Sequence, residues 1–163
     1  MKLRYDTYCG LYCGACHVLI ANRKGIVEEA ARKWEMDPED IHCHGCKTDV
    51  TSVYCRTCDI KECAENRSTE FCFQCEEYPC PRLVEFRNDE CPHHSVVLKN
   101  LDIIGKEGVS TWLDQQESRW SCPECQTQFG WYDEVCTECG KKVYSCKDEE
   151  KDLDSAREFS SLG

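Results

Sequence analysis

Seventeen cysteines among 163 residues, most of them paired as C-x2-C, and a dearth of large apolar side chains between residues 35 and 80 predict a small metal-stabilised α+β fold. A third observation divides the chain: residues 95–120 hold no cysteine, and five return over residues 121–146. The expected architecture is an irregular cysteine-rich zinc-knuckle domain with short helices over residues 1–92. A helical segment over 93–120 packs on or links the rest, a C-terminal β-hairpin zinc ribbon spans 121–146, and a charged tail spans 147–163.

The C-x2-C pairs are Cys13 with Cys16, Cys43 with Cys46, Cys55 with Cys58, Cys72 with Cys75, Cys122 with Cys125 and Cys136 with Cys139. Such a short turn aims both sulfurs at one point, which suits a tetrahedral ion and makes a poor long-range cross-link. The N-terminus, MKLRYDTYCG, holds no apolar run of the kind that forms an export signal. No stretch is long and apolar enough to span a bilayer. These features predict a reduced, cytoplasmic, metal-loaded protein without a membrane partner.

Charge narrows the partners. The formal net charge is −11, and residues 35–94 carry fourteen acids against six bases. Each dication held by four thiolates makes the surface more acidic still. A phosphate backbone is repelled by such a surface, so nucleic acid is disfavoured and a protein partner is expected.

Within residues 1–92, His17–Trp34 reads as a helix with Gly25 as its weak point, because Val18, Leu19, Ile26, Val27, Ala30 and Ala31 recur near a 3.6 period. Asp37-Pro38-Glu39-Asp40 has the form of an N-cap followed by proline and acids, so a short helix leads into Cys43. Pro81 starts another helix through Leu83, Val84 and Phe86. Only Met36, Ile41, Val50, Val53, Ile60, Phe71 and Phe73 supply large aliphatic, Met or Phe side chains between residues 35 and 80. Burying one such side chain is worth about 1.5–3 kcal/mol. A structural zinc ion contributes about 10–16 kcal/mol in small peptides, so metal must hold this stretch together. Over 95–120, Ser95 caps a helix carrying Val97, Leu101 and Ile104, Gly105 and Gly108 interrupt it, and Ser110 opens a second through Trp112 and Leu113.

The stretch WSCPECQTQFGWYDEVCTECGKKV places Cys122, Cys125, Cys136 and Cys139 at C-x2-C-x10-C-x2-C, the spacing of a zinc ribbon, with Phe129, Trp131, Tyr132 and Val135 as strand material. Four sulfurs fill a tetrahedral shell, so this site is structural. Cys146 is left over as a free thiol.

From Cys43 to Cys80 the spacing is C-x2-C-x8-C-x2-C-x4-C-x8-C-x2-C-x4-C. A sequential partition puts Cys43, Cys46, Cys55 and Cys58 on one metal and Cys63, Cys72, Cys75 and Cys80 on another. Cys9, Cys13 and Cys16 then take a fourth ligand from Cys91, His94 or a neighbouring histidine. Interleaved pairings are equally legal. Counted with the ribbon, the ligands make about four zinc sites per chain. The C-x3-C-x2-C triad Cys9/Cys13/Cys16 can instead hold an iron–sulfur cluster with one iron open. The radical enzymes that use this triad build it on a barrel larger than this chain, and the ferredoxin run C-x2-C-x2-C is absent. Knuckle after knuckle favours zinc.

The segments CGLYCGAC, CHGC, CDIKECA and EFCFQCEEYPCPRL resemble a cysteine-rich family of bacteria and archaea catalogued as domain of unknown function 3795. The resemblance runs from residue 5 to about residue 90, and the ribbon is similar to an addition found in part of that family. It implies metal binding and no established activity, and Cys91 falls outside its motifs.

The expected function is therefore a zinc-binding protein with several closed four-cysteine sites, acting as a protein-interaction module without catalysis. The alternative is an iron–sulfur protein that uses the Cys9/Cys13/Cys16 triad for electron transfer or for activating a partner enzyme. An enzyme built on a reactive zinc-thiolate ranks below both. His17, His42, His44, His93 and His94 flank the knuckles, but no nucleophile–base series or phosphate-cradling loop accompanies them.

Overall fold

The structure is a computed structural model that describes residues 2–161, with side chains over 2–157. The expected helix over His17–Trp34 is two: α1 (His17–Lys24) and α2 (Val27–Trp34). Gly25, at φ 68°, ends α1 in a left-handed cap whose N–H returns to the Ala21 and Asn22 carbonyls. Val18, Leu19 and Ala21 of α1 and Val27, Ala30 and Ala31 of α2 then close over Ile41 as a small apolar cluster. Ile41 ends α3 (Pro38–Ile41), which starts as the sequence predicts: the Glu39 N–H donates to the Asp37 carboxylate at 3.0 Å, with Pro38 in the first turn.

Two short helices, α4 (Val53–Arg56) and α5 (Asp59–Asn66), carry the next cysteines, and α6 (Pro81–Arg87) begins at its proline and buries Leu83. A tight turn at Pro92–Val96 precedes α7 (Val97–Glu107) and α8 (Val109–Arg119). Ser95 lies inside that turn, buried and with its hydroxyl unpaired, rather than capping α7. Gly105 does not interrupt α7, and the helix ends only at Gly108.

The helical pair packs on the cysteine-rich half. Val97, Leu101, Ile104 and Trp112 share one core with Tyr12, Ile60, Phe71 and Leu83. Trp112 is fully buried and meets the Tyr12 ring edge-on at 6.1 Å. The same core continues through Trp120, Cys122, Phe129, Cys136, Val143 and Cys146. As far as residue 161 the expected tail is helical, as α9 (Cys146–Ser161), with 162–163 outside the described residues; the Asp148 carboxylate starts the helix by accepting from the Ser145 N–H at 3.0 Å. This helix packs against the Pro92–Val96 turn.

The β component of the expected fold is absent. Helix covers 54% of the chain and no strand or sheet forms among the described residues, so residues 121–146 are not a β-hairpin ribbon. Each C-x2-C loop instead closes on itself through a single bridge, Ser121 with Gln128 and Val135 with Lys142. The residues meant to pair between the loops are engaged elsewhere. Trp131 donates its N–H to the Ala15 carbonyl at 3.0 Å and accepts from the Cys146 N–H at 2.8 Å. Gly130 lies directly against the His17 ring, and Asp133 is 3.2 Å from His17 Nε2. Attachment to the start of α1 takes the hydrogen bonds a hairpin would need. Among the described residues no helix is long and apolar enough to cross a membrane.

Candidate metal centres

The two C-terminal loops are copies of one another. The Cys122 N–H reaches the Thr127 carbonyl and the Gln126 N–H returns to Cys122; the Cys136 N–H reaches Lys141 and the Gly140 N–H returns to Cys136, all at 2.8–2.9 Å. This folding brings the Cys122 and Cys139 sulfurs to 3.6 Å and those of Cys125 and Cys136 to 3.5 Å. All four lie within 4.8 Å of one another. Sulfurs on one zinc ion, with bonds of about 2.3 Å, stand about 3.8 Å apart, so the four fit a single tetrahedral ion. Hydrogen bonding with the Thr127 hydroxyl, 3.3 Å away, and with the Thr127 backbone draws the exposed Cys125 thiol down to about 6, toward the ligand form.

The N-terminal cysteines are gathered by the backbone rather than by regular elements. The Arg4 N–H donates to the His44 carbonyl, Cys13 N–H to Tyr5 and Cys72 N–H to Tyr8, each at 2.8 Å, so residues 4–8 tie three cysteine loops together. Asn22, buried on α1, completes the frame. Its amide donates to the Val18 and Ile41 carbonyls at 2.8 and 2.7 Å, and its oxygen accepts from the Cys43 N–H at 3.0 Å. From α7, Asn100 donates to the Gly10 carbonyl at 2.8 Å. Between these loops Lys47 is almost wholly buried, 2.9 Å from Asp6 and 3.7 Å above the Phe71 ring.

Two neighbourhoods result. Burial, and then the nearby thiols Cys16, Cys46 and Cys55, push the Cys13 thiol well above its ordinary value. Burial carries Cys16 to about 11, with Cys43 and Cys55 adding to it. Cys9 is also raised to about 11, chiefly by burial and in part by Cys58. The opening triad thus lies near Cys43, Cys46, Cys55 and Cys58. The second neighbourhood is a recess lined by Cys63, Cys72, Cys75 and Cys80, with Ile60 and Leu83 behind them. Burial, then Cys9 and the other three recess thiols, lifts Cys72 to about 12.

Neighbouring backbone groups offset part of that rise: Val18 and Leu19 for Cys16, Leu11 for Cys9, Tyr8 for Cys46. Such groups around buried thiols favour thiolate, and burial allows thiolate only beside a cation. Metal loading therefore displaces protons here.

Cys91 and His94, offered with a neighbouring histidine as the triad's fourth ligand, form with His93 a group whose ligand atoms lie within 4.8 Å of one another. His94 Nδ1 is 2.8 Å from Asp89, and His93 Nδ1 is 2.6 Å from the Tyr132 hydroxyl. Among the described residues, this group and the C-terminal four are the only sets of three or more ligand atoms lying within that distance. No three sulfurs of the N-terminal neighbourhoods form such a set. C-x-H-H was the sequence signal for His93. Nothing in the sequence marked Asn22, Asn100 or Lys47, whose roles depend on chain crossings.

The family described as "Protein of unknown function (DUF3795)" matches residues 5–85. The chain belongs, through those residues, to the DUF3795 family. The DUF3795 match takes in both N-terminal neighbourhoods and stops short of Cys91 and the C-terminal four. No curated protein and no solved structure matches the chain.

Proposed function

We propose that this DUF3795 protein is an electron-transfer metalloprotein, with iron–sulfur clusters on its N-terminal cysteines and one structural zinc ion on Cys122, Cys125, Cys136 and Cys139. The observation that carries this reading is the contrast in spacing. The C-terminal sulfurs sit at single-ion distance, whereas no three N-terminal sulfurs lie within 4.8 Å of one another. In a cluster each iron takes its own thiolate, so the ligand sulfurs surround a body larger than one ion. This departs from the expected four zinc ions and takes up the alternative, extended from the triad to the whole N-terminal set. All seventeen cysteines are free of disulfides, which fits a reducing cytoplasm. The net charge of −11 suits a redox partner with a basic face, whose association would weaken as salt rises.

Anaerobic purification tests the reading. The protein should be brown, contain iron and acid-labile sulfide in similar amounts together with zinc, and bleach on adding dithionite. Cys136→Ser should lose zinc and keep its iron. A colourless anaerobic protein with zinc at every site would overturn the proposal and restore the zinc-only interaction module.

A further inference from the structure

We propose that Cys91, His93 and His94 form a separate three-ligand site for one divalent transition-metal ion of the zinc type, with its fourth position open to an exogenous ligand. Three features support the assignment. The ligand atoms converge within 4.8 Å although the residues occupy one short stretch. The Pro92–Val96 turn does this, held by the Cys91 N–H on Asp89 at 2.9 Å and the His94 N–H on the Cys91 carbonyl at 2.9 Å.

Each ring is also fixed by a partner on its far nitrogen. Asp89 reaches His94 Nδ1 with both oxygens, at 2.9 and 2.8 Å, and the Tyr132 hydroxyl reaches His93 Nδ1 at 2.6 Å. A carboxylate or hydroxyl behind a ligand imidazole sets its orientation and raises its basicity. These bonds leave Nε2 of each ring for an ion.

The rings are clamped besides. Phe86 stacks on His94 at 3.7 Å and Trp131 on His93 at 4.2 Å. Such clamping lowers the entropy lost when the ligands are ordered round a metal.

The chemistry of the donor set distinguishes this site from the others. One thiolate and two neutral imidazoles satisfy zinc or cobalt but leave one tetrahedral position unfilled, whereas four thiolates close the shell. All three residues are only half-buried, so water or a small anion reaches the open position. The site lies where Trp131 and Tyr132 of the C-terminal segment meet the turn before α7.

The test uses the full chain, purified anaerobically, with cobalt(II) as the probe. Elemental analysis of wild type against Cys91→Ser should show one equivalent of divalent metal lost, with iron, sulfide and the remaining zinc unchanged. Once a mild chelator has removed that ion from the wild type, added cobalt should quench tryptophan emission with a one-to-one endpoint, through Trp131 beside His93. Cys91→Ser keeps that ring stack, and its quenching should be at least tenfold weaker. Azide should shift the cobalt spectrum of the wild type and leave that of Cys91→Ser unmoved, because closed four-thiolate sites have no place for it.

Asp89→Asn covers the case in which Cys91→Ser misfolds. It keeps all three ligands, and cobalt affinity should fall about 10–100-fold. Equal metal content and equal quenching in wild type and Cys91→Ser would overturn the proposal, as would unchanged cobalt affinity in Asp89→Asn. Loss of iron with this site intact would count against the cluster reading alone.

Discussion

Asn22 makes three buried hydrogen bonds from one side chain, and the last of them holds the Cys43 N–H. Truncating it leaves those groups unpaired away from water, so Asn22→Ala should destabilise the protein by about 2–3 kcal/mol. Urea unfolding at constant metal loading measures this. Gly45 is constrained as tightly: at φ 122° it crosses the Arg4 backbone, and a Cβ there would overlap the Arg4 carbonyl. Asp6 gives a pH dependence. Burial pushes its carboxyl up, but hydrogen bonds from Arg4 and Lys47 outweigh that and leave it below the ordinary value of 3.8. A carboxyl lowered on folding stabilises the fold above its unfolded pKa and loses that contribution as pH falls through the folded pKa. The stability gap between wild type and Asp6→Asn should be full near neutrality and shrink once pH drops below about 4. A gap that stayed constant into acid would show that the Asp6 charge is not what stabilises the fold.

The helices divide into those that hold ligand loops and those that supply apolar cover. α1 and α3 frame Cys43, whereas α7 and α8 bring Leu101, Ile104 and Trp112 onto the cysteine-rich half. Trp112→Ala should cost about 3–5 kcal/mol, with a lower thermal midpoint for the whole chain rather than a separate early transition. Sequence periodicity was enough to place α6, α7 and the capped start of α3, because local chemistry decides them: Pro81, the Val97/Leu101/Ile104 stripe, and Asp37 before Pro38. It failed between the two C-terminal loops. Phe129, Trp131, Tyr132 and Val135 read as strand material, but strand formation needs a paired partner, and Trp131 is bound to Ala15 and Cys146 instead. The C-terminal ligand set was legible because its four cysteines act within eighteen residues of chain, 122–139. The N-terminal neighbourhoods were not, since Cys9 comes near Cys58 only after several loops have crossed.

At the scale of the molecule, one apolar core passes from Tyr12 and Ile60 through Trp112 to Cys122, Cys136 and Cys146. The thin supply of oily residues between 35 and 80 is thus made good by helices later in the chain, and metal is not the sole support of the front half. The family match, however, ends at residue 85, before any of that cover is reached. Expressed alone, residues 5–85 should bind a hydrophobic dye and associate in gel filtration, and a peptide spanning residues 93–157 supplied in trans should reverse both. A monomeric, dye-silent fragment would show that the cover is dispensable. The stretch that carries the family signature closes one small apolar cluster by itself. For the rest of its shelter it draws on side chains that the ribosome adds later, from Val97 onward.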